Sequence, residues 1–304
     1  MFSKEQLQNF LDKKDNKKLV VIYWPTACWK TAISIDIAKM LNTEIISTDS
    51  RQIFKFMDIW TAKVTEEEKS WVKHHMIDIV SPDEEYSVGQ FKKEATIIIN
   101  NLWKAWKIPI LCWWTGLYID SLIYDFSIPK VEPNKKLREE LEDEAKKYWN
   151  EFVYEKLVKL DPEYAKTVHP NNLRYVIRAI EVKIMTGIAK SEFIWEKKLK
   201  YDTFFINPYD GDRKILYGRI DRRVHIMIEM WLIEEVKNLL NMWYKESDFG
   251  METIWYKEII SHLNWEITLD EAISKIQQNS RNYAKRQLTW FRKYDKIEIK
   301  YMIK

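Results

Sequence analysis

Lys30 and Thr31 stand where an apolar run, Leu19–Tyr23, gives way to a segment with helical apolar spacing at 32–41. A Lys-Thr pair there suits a phosphate-binding loop. Backbone N–H groups and a helix N-terminus surround phosphate oxygens, the lysine adds a mobile positive charge, and the threonine hydroxyl can coordinate Mg²⁺. The preceding Trp24, Pro25, Thr26, Ala27, Cys28 and Trp29 complete the pattern G-x-x-x-x-G-K-[ST] if both tryptophans are read as glycine. Tryptophan itself cannot serve, because the turn uses conformations that side chains resist and the backbone must approach the anion closely. A Lys-Thr pair also opens helices with no ligand nearby, and the strand–loop–helix context argues against that here.

Asp49 closes a second strand-like run, Thr43–Ser50, and should face the same crevice. A carboxylate there can orient an N–H and accept its proton. It could instead cap the next helix, or contact Mg²⁺ or a hydroxyl substrate in a kinase. The segment 282–293 mixes Lys285, Arg286, Arg292 and Lys293 with Tyr283, Trp290 and Phe291. That composition suits nucleic-acid phosphates and base stacking, although a basic helix with its apolar face in a core has the same appearance.

The elements that must hold these groups alternate between strand and helix. Strands are expected at 19–23, 43–50, 107–112 and 202–208, with helices at 32–41, 89–105, 212–240 and 269–292. Nearly continuous apolar strands between helices imply an α/β fold, a P-loop NTPase-like parallel sheet with helices on both faces, whose ligands sit beyond the C-terminal strand ends. From 130 to 200 the chain is charged and helix-forming with no strand pattern, so a helical insertion domain is expected there. It separates a first core part (19–129, after an extension at 1–18) from a completing part with C-terminal helices (201–304). The alternating KIEIKYMI at 296–303 suggests an edge strand.

A formal charge of +3 over 304 residues neither requires nor excludes nucleic acid. Two cysteines, Cys28 and Cys112, make no disulfide framework or metal cluster. The polar N-terminus lacks a signal-peptide pattern and the apolar runs are too short to span a bilayer, so a cytoplasmic protein with no membrane partner is expected. No association helix is evident, and a monomer is expected. Gly 6 against Trp 15 is the abnormal figure.

The chain resembles the tRNA dimethylallyltransferase (tRNA isopentenyl transferase) family over essentially its whole length. The resemblance is carried by WPTACWKT (24–31), DSRQIF (49–54), DIWTAK (58–63), HHMIDI (74–79), WKIPILCWWTGLYI (106–119), HPNNLRYVIRAIEV (169–182), IWYKE (254–258) and YAKRQLTWF (283–291). It implies transfer of a dimethylallyl group from dimethylallyl diphosphate to N6 of adenosine 37 in the tRNA anticodon stem-loop, with Mg²⁺. The loop at 24–31 would hold the diphosphate, with Thr31 on the metal and Arg219 closing over it; Arg213 and Arg223 are secondary candidates. Asp49 would be the base and Thr115 would lie beside the reacting centre, though Thr115 could also cap the following helix. Asp49, Ser50, Arg51, Gln52 and Thr115 would touch the target base and its neighbour. Arg174, Tyr175, Val176, Ile177 and Arg178, with Lys285, Arg286 and Gln287, would line the anticodon-stem side. A P-loop kinase and an inactive tRNA-binding homologue are the alternatives.

Trp24, Trp29, Trp60, Trp106, Trp113, Trp114, Trp231 and Trp255 occupy positions where that family has glycine; Trp243 and Trp265 look like two more. Trp290 matches a family tryptophan. Trp71, Trp103, Trp149 and Trp195 read as core or interface anchors. One codon, read as glycine by the organism (UGA is the candidate) and written as tryptophan here, explains the pattern. A decayed homologue would also have lost Lys30, Thr31 or Asp49.

Overall fold

The computed structural model describes residues 4–13, 17–23, 25, 30–113, 115–126, 131, 133–193, 195–209 and 211–298, without the side chains of 4, 30–31, 125–126, 195–197 and 296–298. The chain forms two compact units, 1–123 with 199–304, and 124–198. The first unit begins with α1 (Lys4–Leu11), β1 (Lys18–Ile22), α2 (Lys30–Met40), β2 (Ile45–Ser47), α3 (Glu66–Lys69), β3 (His74–His75), α4 (Val88–Lys104), β4 (Ile110–Cys112) and α5 (Gly116–Ile123). The second contains β5 (Tyr124–Phe126), α6 (Lys135–Leu160), α7 (Pro162–Ala165) and α8 (Leu173–Thr186), and β6 (Trp195–Leu199) closes it. The first resumes with β7 (Asp202–Ile206), α9 (Arg213–Glu229), α10 (Leu232–Asn241), α11 (Tyr256–Leu263) and α12 (Leu269–Glu298).

The sheet order is β3-β2-β4-β1-β7, and every pairing is parallel. All five residues of β1 are buried, as a central strand covered on both faces requires. Its neighbours align Ile22 with Cys112 on one side and with Ile206 on the other, so the strand ends form one edge. α12 closes the unit near that edge: Asp295 accepts hydrogen bonds from the Tyr23 hydroxyl at 2.9 Å and the Asn207 amide at 3.1 Å. Among the described residues no helix is long and apolar enough to cross a membrane.

The second unit packs Leu141, Val153, Leu157, Val176 and Ile180 into its own core. Glu181, whose side chain is fully buried, accepts hydrogen bonds from Arg138 Nε and Nη2 (both 2.8 Å), from Arg178 and from the Asn134 amide (2.7 Å). Burial alone would raise its carboxyl, but the bonds from Arg138, Arg178 and Asn134 outweigh it and hold the pKa below the usual range. A depressed carboxyl contributes stability above its unfolded value and loses it as pH falls through the folded one. Glu181→Gln is therefore expected to cost about 2 kcal/mol at neutral pH. Thermal melts should show that gap narrowing as pH falls through the carboxylate range; a gap that does not change with pH would contradict the assignment.

Four expectations need correction. The 130–200 region is not free of strands, since β6 pairs with β5 in a small separate sheet. The helix expected over 212–240 breaks at Met230–Trp231, where Trp231 has φ 72°. Residues 296–298 continue α12 and form no strand, and 299–303 lie outside the described residues. A helix already formed through Asp295 adds one hydrogen bond per residue fixed, which outweighs a short alternating pattern. Finally, Trp71 and Trp149 are no anchors: both are exposed, with φ 70° and 72°. Trp103 does anchor, half-buried in α4 and donating from Nε1 to the Lys18 carbonyl at 2.9 Å.

Among the described residues, eight tryptophans have φ between 59° and 149°: Trp71, Trp106, Trp113, Trp149, Trp231, Trp243, Trp255 and Trp265. Three of them follow helices in the same way. After α4, α10 and α11, the N–H groups of Lys107, Tyr244 and Glu266 reach back to the carbonyls of Leu102, Leu239 and Ser261, closing the wide ring of a Schellman cap around Trp106, Trp243 and Trp265. That position calls for glycine. After α8 the same left-handed place is held by Gly187, φ 73°.

Candidate active site

The C-terminal ends of β2 and β4 are joined by main-chain hydrogen bonds. The Thr48 N–H donates to the Cys112 carbonyl at 2.8 Å, and the Thr115 N–H donates to the Thr48 carbonyl at 3.0 Å. This pairing brings Asp49 and Thr115 to the same edge. Asp49 is buried, and its Oδ1 accepts the Arg51 N–H at 2.7 Å. That bond turns the chain into the bends at 50–56, where no helix follows, so the carboxylate is not a helix cap. The Thr115 hydroxyl accepts the Ser50 N–H at 2.9 Å and lies 3.2 Å from the Ser50 hydroxyl. It ties the two strand ends together.

Gln52 is fully buried behind Asp49. Its Oε1 accepts from Ser47 Oγ at 2.9 Å, and its Nε2 donates to the carbonyls of Thr61 (3.2 Å) and Ala62 (3.3 Å). The loop carrying those carbonyls is held from α10. Glu235 Oε2 accepts the N–H groups of Asp58 and Ile59, both at 2.7 Å. Its Oε1 accepts the Trp60 N–H at 3.3 Å and the Tyr256 hydroxyl at 2.7 Å. Burial raises the Glu235 pKa despite those bonds. Sequence reading missed Glu235 and Tyr256. Glu235 looks like one more charge in an amphipathic helix, and only the order IWYKE hinted at Tyr256.

Beside Ser50 and Arg51 lies a cavity of about 290 Å³, whose wall also includes Thr61, Arg223, Tyr283 and Arg286. Arg51 donates to the Phe249 carbonyl at 3.1 Å and the Glu252 carbonyl at 3.4 Å; burial lowers its pKa, and Tyr283 and Asp49 counter that. Burial, then the Asp49 carboxylate, pushes the Tyr283 phenol up to about 12. Three guanidinium groups around one cavity suit an anion or a nucleic-acid backbone. Of the α9 arginines, Arg223 reaches this wall; Arg219 is half-buried on the same helix, and Arg213 is exposed near its start.

On α12, Lys285 and Arg286 share an open trough of about 670 Å³ with Thr289, Trp290 and Lys293. Lys293 pairs with Asp120 and sits 4.3 Å from the Trp290 ring centroid. That indole lies on Gly116, where a Cβ would come within 2.3 Å of it. Gln287 is buried and turned from solvent. On α8, Val176 and Ile177 are core residues, and Arg178 is committed to Glu181 and the Val131 carbonyl. This leaves Arg174 and the exposed Tyr175 as the outward-facing groups of that segment. Trp24, Thr26, Ala27, Cys28, Trp29 and Trp114, with the side chains of Lys30, Thr31 and Trp195, lie outside the described residues. What is described frames the loop: β1 ends at Ile22, Pro25 is buried, and α2 begins at Lys30.

Residues 52–294 match the IPP transferase family. A tRNA dimethylallyltransferase of Alkaliphilus oremlandii is 50% identical over 283 residues, covering 92% of this chain and 90% of the relative. One from Caldanaerobacter subterraneus is 44% identical with the same coverage. Among solved structures, the tRNA isopentenylpyrophosphate transferase of Bacillus halodurans is 41% identical, with TM-score 0.66 over 91% of this chain and 87% of that one. A eukaryotic dimethylallyltransferase acting on tRNA is 31% identical, with TM-score 0.77 over 90% of this chain and 70% of that one. With this fold, and with Asp49 and Thr115 brought to one strand edge beside an arginine-lined cavity, the chain belongs to the tRNA dimethylallyltransferase (IPP transferase) family.

Proposed function

We infer that this enzyme transfers a dimethylallyl group from dimethylallyl diphosphate to the exocyclic N6 of adenosine 37 in tRNA. The reading is carried by the stitched ends of β2 and β4, which set Asp49 and Thr115 on the edge where β1 runs toward the Lys30–Thr31 helix start. In the reaction the allylic C–O bond breaks, a C–N6 bond forms, and one N6 proton passes to the Asp49 carboxylate as diphosphate leaves. Charge growing on the leaving oxygen is the main thing to stabilise. The loop amides, Lys30 and an α9 arginine suit that task, and Thr115 can donate toward the bridging oxygen. The adenine must leave the anticodon-loop stack to reach Asp49. The cavity beside Arg51 is the proposed entrance, with Arg174, Tyr175, Lys285 and Arg286 toward the stem.

A divalent cation is part of the same proposal. Among the described residues no group of three or more His, Cys, Asp or Glu forms a cage. Mg²⁺ commonly takes only one or two protein ligands and fills the rest from phosphates and water. Thr31 would hold it, and bound there it would neutralise charge on the diphosphate. A monomer acting in the cytoplasm is the proposed setting.

The same reading requires glycine at the anomalous tryptophans. The eight left-handed φ values support it independently of family likeness, and extend it to Trp71 and Trp149. Trp60 and Trp255 intrude on the cavity wall, where glycines would widen the passage for a base. A gene that encodes UGG at 24 and 29 would defeat this explanation. The functional test incubates the glycine-coded chain with dimethylallyl diphosphate, Mg²⁺ and unmodified tRNA, then digests the RNA to nucleosides. N6-(dimethylallyl)adenosine is expected; ATP consumption with unmodified tRNA would favour a kinase instead.

A further inference from the structure

The half-buried carboxylate of Glu235 gathers three consecutive main-chain N–H groups, from Asp58, Ile59 and Trp60. Such a run of amides binds an anion well. Tyr256, fully buried, donates the fourth bond and fixes the rotation of the carboxylate. The loop so held closes on itself through the Ala62 N–H to the Ile59 carbonyl (3.1 Å) and the Lys63 N–H to the Asp58 carbonyl (3.0 Å). Its next carbonyls, on Thr61 and Ala62, fix Gln52; Gln52 receives Ser47 Oγ, which itself accepts the Asp49 N–H at 3.3 Å. Hydrogen bonds therefore run without a gap from α10 to the main chain of Asp49. Trp60 contributes only its N–H, so glycine there leaves the chain of bonds intact.

We propose that Glu235, supported by Tyr256, is a positioning residue for the transfer reaction, acting through the 58–62 loop and Gln52 to fix the strand end that presents Asp49. The proposal rests on the transfer reading for its kinetic consequence and on geometry alone for its structural one. Displacing a reacting group by an ångström can cost about a hundredfold in rate. Glu235→Ala is expected to lower kcat about ten- to a hundredfold, with KM for dimethylallyl diphosphate unchanged. Glu235→Gln, which keeps an acceptor oxygen, should lose less. In a Gln52→Ala background, Glu235→Ala should add little, because residues acting through one another are non-additive. Independent multiplication of the two losses would overturn the proposal. A second measurement needs no turnover: amide hydrogen exchange in Glu235→Ala should quicken at 58–62 and 52 while β1 and β7 keep their protection. Unchanged exchange at 58–62 would also overturn it, whatever the transfer assay gives.

Discussion

Asp49→Ala is expected to lower transfer by about 10²- to 10⁴-fold, the usual contribution of a positioned general base, while tRNA affinity changes little. The side chain is buried and carries the turn to Arg51, so alanine removes both a proton acceptor and one hydrogen bond. Asp49→Asn separates the two, since the amide oxygen can still receive the Arg51 N–H but cannot take a proton from N6 at neutral pH. Both variants should lose turnover to a similar extent; only alanine should also loosen the 50–56 bends. Affinity should persist because the exposed basic groups Arg174, Lys285 and Arg286 are untouched. Single-turnover transfer and filter binding check the two halves. Full activity in Asp49→Asn would remove the proton-accepting role.

Exchanging the anomalous tryptophans for glycine is expected to have an effect at least as large, on folding as well as on rate. A left-handed backbone costs an ordinary residue about 1–2 kcal/mol. Eight such positions together approach the whole stability of a typical domain, about 5–15 kcal/mol. Six of the eight indoles are more than two-thirds exposed, so burial returns little of that cost. The chain carrying tryptophan throughout should melt poorly and show no transfer. The chain with glycine at those positions and at 24, 29, 60 and 114 should melt cooperatively and turn over. Peptide masses of the protein from its own cells should show glycine at 106, 243 and 265. Tryptophan at those Schellman caps in an active native protein would contradict the account.

The sequence made the strong features of the fold legible and concealed the weak ones. β1, β2, β4 and β7 are readable because strands with buried faces are continuously apolar, whereas β3 is two histidines and β6 is rich in lysine. The break between α9 and α10 was hidden because its glycine signal is spelled as Trp231. Asp49 and Thr115 were legible as strand-end residues. Resemblance assigns Gln52 to the target base, but its burial depends on the carbonyls of Thr61 and Ala62 and on the distant Glu235 carboxylate that holds their loop. Val176 and Ile177 share a segment with Arg174 and Arg178, but helical spacing turns them inward into the core. Periodicity finds the faces of elements; it does not find hydrogen bonds between distant loops.

The most direct measurement is a structure of the glycine-containing chain with an unreactive dimethylallyl diphosphate analogue and an anticodon stem-loop. The account predicts diphosphate oxygens against the 24–31 amides and Lys30, and an extruded adenine whose N6 lies within hydrogen-bond distance of Asp49. Ligands held in separate compartments, with no path joining Lys30 to Asp49, would contradict it.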